Sequence, residues 1–510
     1  MHDITRARAT LLSGALLLPL SNCVPIQLDP IDTGTDDPGT SGATGPEPTN
    51  AGDPDDSTST TDDGDTAIST TDDPTGGDPV TCSEVVVADP QLLLDIRAAL
   101  AIPDGPIPPE AAQTLTELTA SPGITTLDGL ECFPNLTDLI IGGVDSTVTD
   151  LGPLAGLTKL ATLVVAGSPI VDLGPLAGLP ALAKLNINET GVEDLTPLAA
   201  VPTLAQLSVF RSPIGSFAPL AGHPGLTRID AQQLEGAVDP TGLAQIPQLR
   251  YLDLSFNKLG DLEFLAGAPA LTYLGLVDVG VADITPLADI TTLESLFLTQ
   301  NNITGLAPLA GLTALVSLSV DDNLVASVAP LAGLTALEEL RLSNNAIVDV
   351  APLTALTKLW DLHLFGNKIS DLAPLAALPG LKQLDVGGNP LPGLDALIGA
   401  PTINGLVAAD AGLTELAVVS PDTLALIDVQ SNSITDVSPL LDYPHLDLAY
   451  LRDNQVTTLE PLLGATWPDN CAVDINVQGN PLDAETLASI IPALCASGLS
   501  ILWDDGHCEC

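Results

Sequence analysis

A phrase of 22 residues returns along most of this chain, and residues 340–371, "LRLSNNAIVDVAPLTALTKLWDLHLFGNKISD", hold it almost twice. The frame LxxLxLxxN followed by (I/V)xDLxPLAxL sets Leu274, Leu296, Leu318, Leu340, Leu362 and Leu384 at one position. A unit this short cannot bury its own leucines, but a stack of such units can, so the chain must build a solenoid. Carried outward, the frame reaches Leu139, Leu163, Leu185, Leu207, Ile229 and Leu252 on one side. On the other it reaches Leu406, Ile427, Ala449 and Ile475, for about sixteen rungs. The steps before Leu163, Leu252, Ile427 and Ile475 are irregular.

Each repeat reads as a short strand, an asparagine turn and a return segment. In the strand the frame leucine and the residue two later point inward, and those between point out, by the period of two. Asn257, Asn301, Asn323, Asn345, Asn367, Asn389, Asn432, Asn454 and Asn480 follow the strands. A buried amide there satisfies backbone groups of neighbouring turns, so these residues are structural rather than ligands. Pro153, Pro175, Pro197, Pro219, Pro286, Pro308, Pro330, Pro352 and Pro374 open the return segments. That position suits the first turn of a short helix or 3₁₀ piece, where no N–H is missed.

The frame resembles the bacterial 22-residue leucine-rich repeat, and residues 84–505 resemble internalin-type surface proteins. The opening stretch "DPQLLLDIRAAL" with "GITTLDGLECFPNLTDL" is similar to the helical cap that begins such domains. The resemblance implies an α/β solenoid: a curved right-handed superhelix with a concave parallel β-sheet, short helical or 3₁₀ convex segments, and helical caps at both ends. The sequence departs from internalins in showing no immunoglobulin-like module, sorting tail or basic wall-binding repeats, so host-cell invasion does not carry over.

The N-terminus, "MHDITRARATLLSGALLLPLSNC", has Arg6 and Arg8 before an apolar run too short to span a bilayer, the pattern of a signal peptide. Its end, Leu20-Ser21-Asn22-Cys23, resembles a bacterial lipobox with Asn22 where Gly, Ala or Ser is usual. The resemblance implies that Cys23 is diacylated and heads the mature chain. Residues 24–81 are rich in Asp, Thr, Pro, Gly and Ser and contain no Lys, Arg or His. They cannot bury a core and read as an extended tether; Asp62, Asp63 and Asp65 do not follow EF-hand spacing. The expected organisation is a signal peptide (1–22), a disordered acidic tether (23–81), an N-terminal cap and first turn (82–135), the repeats (136–480) and a disulfide-rich C-terminal cap (481–510).

Six cysteines remain beyond Cys23, all at the ends of the repeat region, where an array frays and covalent staples belong. Cys82 and Cys132 bracket the first cap and are expected to pair. Cys471, Cys495, Cys508 and Cys510 crowd the second, with three pairings open and Cys508–Cys510 the least favoured at that short spacing. There "NPLDAETLASIIPALCASGLSILW" reads as a last turn, a helix and a closing strand. A rival reading makes His507, Cys508 and Cys510 a zinc or copper site, but no spaced CxxC pair supports it, and no metal or cofactor is expected.

No nucleophile elbow, HExxH or phosphate loop occurs, so the chain reads as a binding protein and not an enzyme. A formal net charge of −51 excludes nucleic acid and disfavours an anionic membrane surface. His223 occupies a return-segment position filled elsewhere by Leu157, Leu179 and Val201, which marks it as a core histidine; His445 sits in a late return segment. His363 alone among the five points outward from a strand.

The positions one before, one after, three after and four after each frame residue are expected to face the concave surface, with the position two before at its edge. These five places in twenty-two hold eight of the fourteen aromatics: Phe210, Tyr251, Phe256, Tyr273, Phe297, Trp360, Phe365 and Tyr450. They also hold Lys184, Arg211, Arg228, Arg250, Arg341, Lys382 and Arg452. Aromatics and arginine carry interface energy. The expectation is one binding strip from Phe210, Arg211, Arg228, Arg250, Tyr251, Phe256 and Tyr273 to Phe297. Arg341, Trp360, His363 and Phe365 continue it beyond a polar gap at Ser317, Ser319, Asp321 and Asp322. The reading is a monomeric, lipid-anchored envelope protein, facing the periplasm or the cell surface, whose partner is a protein. The alternative is a structural surface protein or a glycan-binding adhesin.

Overall fold

The computed structural model describes residues 82–508 apart from 142–145, 269 and 465–472. All belong to one compact unit, Pro74–Cys510. The signal peptide, Cys23, the tether, Cys471 and Cys510 lie outside the described residues.

The described residues form one sheet of nineteen strands, from Glu117–Ala120 to Gly506–Cys508. Each strand pairs in parallel with the next until the last pair, which is antiparallel. Every frame residue expected from the sequence stands opposite the next one, from Leu139 against Leu163 to Ala449 against Ile475. The irregular steps therefore fall in the connections and leave the register intact. Leu118 precedes this column and Ile501 extends it.

Burial follows the frame. In one rung Leu337, Leu340, Leu342, Ile347, Val350, Leu353 and Leu356 are each no more than 1% exposed, and these apolar columns stack rung on rung into one continuous core. The return segments hold 3₁₀ turns such as Gly152–Leu154, Thr285–Leu287 and Ala351–Ala355, each with proline in its first positions as expected. The recurring Asp ahead of them has a role that the sequence reading did not assign. Asp150, Asp172, Asp283, Asp349 and Asp371 each accept a hydrogen bond from the N–H two residues on, which closes the turn.

The asparagines form a buried ladder. Asn301 donates through Nδ2 to the carbonyls of Leu276 and Leu298, at 2.8 and 3.0 Å, and accepts at Oδ1 from the Val279 and Val281 N–H groups. The same pattern recurs at Asn323, Asn367, Asn389 and Asn454, so these side chains supply the pairing that non-repetitive turn backbone would otherwise lack. Toward the N-terminus small hydroxyls take over: Ser168 donates to Ser146, and Thr190 and Ser212 bond to the Ile187 carbonyl.

The ends are capped. Helix Pro90–Ala99 starts at Asp89, whose carboxylate accepts from Gln91, Leu92 and Thr125. Burial alone would raise the Asp89 pKa, but these bonds outweigh it and hold the group below its ordinary value. Cys82 and Cys132 are joined, with Cα atoms 5.5 Å apart, and so are Cys495 and Cys508 at 6.0 Å. The second bridge removes Cys508 from the thiolates that the rival metal reading required. The expected closing strand, Ser500–Trp503, is present. It is followed by an antiparallel strand, Gly506–Cys508, that the sequence reading did not anticipate.

Candidate binding face

Three strands, Tyr251–Asp253, Tyr273–Gly275 and Ser295–Phe297, carry the densest aromatic group. Register places Arg228 beside Tyr251 and Tyr251 beside Tyr273, one residue before the frame position in each strand. The Arg228 guanidinium lies 3.4 Å from the centre of the Tyr251 ring. Tyr251 and Tyr273 stack at 4.0 Å, and Tyr273 meets Phe297 at 5.3 Å, so four rungs carry one continuous pile. Gly275 lies opposite Phe297, and a Cβ there would collide with the Asp253 carboxylate. Burial raises the pKa of both tyrosines above their ordinary value.

The other expected aromatics run in a parallel lane. Phe210 and Phe365 stand three residues after their frame positions and Phe256 stands four after. The four-after place takes a left-handed backbone in rung after rung, with φ of 51° at Arg211, 62° at Phe256 and 55° at Asn344, and glycine at 366 and 388. Asn, Asp and Gly suit that conformation; phenylalanine does not. Phe256 holds it with 48% of its surface exposed. Phe365 lies against Gly387 and Gly388, where an added Cβ at Gly387 would come within 2.9 Å of the ring.

Beyond Ser319, which stands between Phe297 and Arg341 in the register, the face becomes ionic. His363 places Nε2 3.0 Å from Asp361 and Nδ1 3.9 Å from Asp385, and Arg341 approaches Asp361 at 3.6 Å. Burial pulls the His363 pKa down, but the adjacent Asp361 and Asp385 carboxylates overcome it and raise it to about 9. Asp428, in the same outward row two strands beyond Asp385, is raised to about 6 by burial, with repulsion from Asp385 adding to it. Asp230 is raised by burial and by Asp253. These carboxylates occupy the same outward rows as the aromatics. The sequence reading ranked only aromatic and basic residues there, although Asp at strand positions flanking the frame was the available signal.

The structure holds several of the expected basic residues against acidic neighbours. Arg211 lies 5.0 Å from the Phe210 ring centre and 3.8 Å from Glu189, and Arg452 meets Asp453 at 3.0 Å. Arg250 stands exposed at the edge row. Trp360 also belongs to the edge row, where with Lys382, Asn404 and His445 it lines a groove of about 760 Å³. The expected single strip is therefore four groupings: the Arg228-to-Phe297 pile, the lane of Phe210, Phe256 and Phe365, the Arg341–Asp361–His363 cluster, and the groove at Trp360. His223 is in the core: its Nδ1 accepts from Gly225 and Leu226, and its Nε2 reaches the Val201 carbonyl at 3.0 Å.

The family profile described as Leucine Rich repeat matches residues 247–262, the rung that carries Tyr251. A leucine-rich-repeat protein of Leptospira interrogans has a similar structure at 20% identity and TM-score 0.62, over 77% of this chain and 97% of that one. This is a leucine-rich-repeat solenoid. The functional domain of InlJ from Listeria monocytogenes, which includes a cysteine ladder, is 21% identical over 76% of this chain and 80% of its own, at TM-score 0.52. An internalin of Listeria monocytogenes, InlF, is 27% identical over 70% and 94%, at TM-score 0.45. No curated protein matches the chain. Among the described residues no group of three or more His, Cys, Asp or Glu is placed to hold a metal. The pile from Arg228 to Phe297 lies in the rows of the parallel sheet that flank the buried frame column.

Proposed function

We propose that this leucine-rich-repeat protein is exported, held at a membrane by a lipid on Cys23, and binds a protein partner through its concave face. The observation that carries the binding site is the continuous pile Arg228–Tyr251–Tyr273–Phe297. Tyrosine and arginine are the residue types that dominate interface energies, and here stacking with neighbours limits the rotamers that they must lose on binding. Phe256 beside the pile supports the same reading, because an exposed aromatic in a left-handed conformation costs folding energy that a binding role would offset. Disulfides at both ends fit an oxidising compartment.

The experiment is affinity capture from the native envelope with the ectodomain as bait, followed by binding measurements on variants. Tyr251→Ala and Phe297→Ala are expected to weaken binding by roughly 1–4 kcal/mol each, and Lys358→Ala on the exposed convex side to leave it unchanged. Equal binding by all three removes the concave pile as the site. For the anchor, Cys23→Ser is expected to release an exported protein from the membrane fraction; wild-type protein without acyl mass would overturn that part of the reading.

A further inference from the structure

The groove at Trp360 lies apart from the aromatic pile, on the edge where the chain enters five consecutive strands, from Asp361–His363 to Leu448–Tyr450. Its shape follows from the row two residues before the frame. That row runs Trp360, Lys382, Asn404, Ala425, Asp447, so the largest side chain stands at one end and side chains no larger than Asn404 follow Lys382, with only a methyl group at Ala425. The rung behind Ala425 is also the short one, with 21 residues from Leu406 to Ile427. No 3₁₀ turn lies between the strands Gly405–Val407 and Leu426–Asp428, whereas neighbouring rungs have one. Pro444 and His445 close the far wall.

The chemistry of the lining restricts what can bind. The backbone at this edge is already used: the Trp360 carbonyl accepts from Lys382 and Gln383, that of Lys382 from Asn404 and Gly405, and that of Asn404 from Ala425 and Leu426. The Ala425 carbonyl likewise accepts from Asp447 and Leu448. A peptide cannot add itself as a strand here, and recognition falls to side chains. Asp422 and Asp447 oppose a phosphate or sulfate, while Lys382 opposes a compact cation. What remains is one indole face surrounded by groups that both donate and accept. Thr423 donates to the Ile403 carbonyl and Asn404 Nδ2 to the Thr423 carbonyl, which leaves the Thr423 lone pairs and Asn404 Oδ1 to accept from a ligand.

We propose that this groove is a binding site for a neutral oligosaccharide. The apolar C–H face of one pyranose ring stacks on Trp360, and its hydroxyls exchange hydrogen bonds with Lys382, Asn404, Thr423 and Asp447. A volume of about 760 Å³ falls within the range of small-ligand clefts and holds a short oligosaccharide. The site is independent of the protein-binding face and stands or falls separately from it.

The test is titration of the full chain with cellobiose, maltose and N,N′-diacetylchitobiose, preceded by an array of neutral glycans to choose among longer chains, with inorganic phosphate and an oligolysine peptide as controls. Saturable binding of at least one neutral sugar is expected, with Trp360→Ala weakening it tenfold or more and Asn404→Ala and Asp447→Ala severalfold. Tyr251→Ala is expected to leave sugar binding unchanged, which separates this site from the concave pile. Three results overturn the proposal: no neutral glycan bound up to about 10 mM, sugar binding that survives Trp360→Ala in a protein with unchanged thermal unfolding, or phosphate or oligolysine competing for the groove more tightly than any sugar.

Discussion

The rings of Tyr251 and Tyr273 stack with centroids 4.0 Å apart and planes 12° from parallel, across two adjacent strands in register. Side chains at directly opposed strand positions are held at about this spacing by the sheet itself. A double-mutant cycle on thermal unfolding with Tyr251→Ala and Tyr273→Ala should return a coupling of about 0.5–1.5 kcal/mol. Strictly additive effects would mean that the stack adds nothing beyond the area each ring covers.

Phe256 should trade stability for binding. Its φ of 62° suits asparagine better than phenylalanine, and the ring is 48% exposed. Phe256→Asn is expected to stabilise the solenoid by about 0.5–1 kcal/mol through relief of the left-handed backbone cost. The same change should weaken partner binding. A loss of stability, measured by urea unfolding, would show that the ring contributes more packing than its exposure indicates.

His363 makes stability depend on pH in a stated direction. Its folded pKa is raised from 6.5 to about 9, so the imidazolium's contribution is fully present below pH 6.5 and is lost as pH rises through 9. Unfolding free energy should fall across that interval by up to about 3 kcal/mol, and His363→Gln should flatten the slope. Asp428, raised from 3.8 to about 6, acts oppositely to a salt-bridged carboxylate: its ionisation above pH 6 penalises the folded state. Asp428→Asn should therefore raise the melting temperature at pH 7 more than at pH 4.

The end bridges should matter in proportion to the loops they close. Cys82–Cys132 spans 50 residues and Cys495–Cys508 spans 13. Chain entropy assigns them about 4 and about 3 kcal/mol respectively. Reduction should raise amide exchange in the helices Pro90–Ala99 and Ile491–Ala496 before it does so in the central rungs. Uniform exchange throughout would mean that the ends do not fray independently.

The repeat alone determined the architecture. A unit of 22 residues with apolar positions that no single unit can bury leaves stacking as its only solution, so the frame column from Leu139 to Ile475, the asparagine ladder and the proline-opened turns could be read from spacing. The pairing of Cys82 with Cys132 was legible because both cysteines flank one cap. The tertiary structure decided what happens between rungs. Tyr251 and Tyr273 are 22 residues apart, and only the parallel register brings their rings together. The same register sets Asp361 and Asp385 around His363, so the histidine read only as outward-pointing and part of a binding strip is a held cation. Trp360 shared a row with residues of the strip, yet the small side chain at Ala425 and a shortened rung turned its surroundings into a groove. Spacing along a chain specifies which residues share a row; which neighbours desolvate them, pair with them or leave space beside them depends on side chains from rungs remote in sequence.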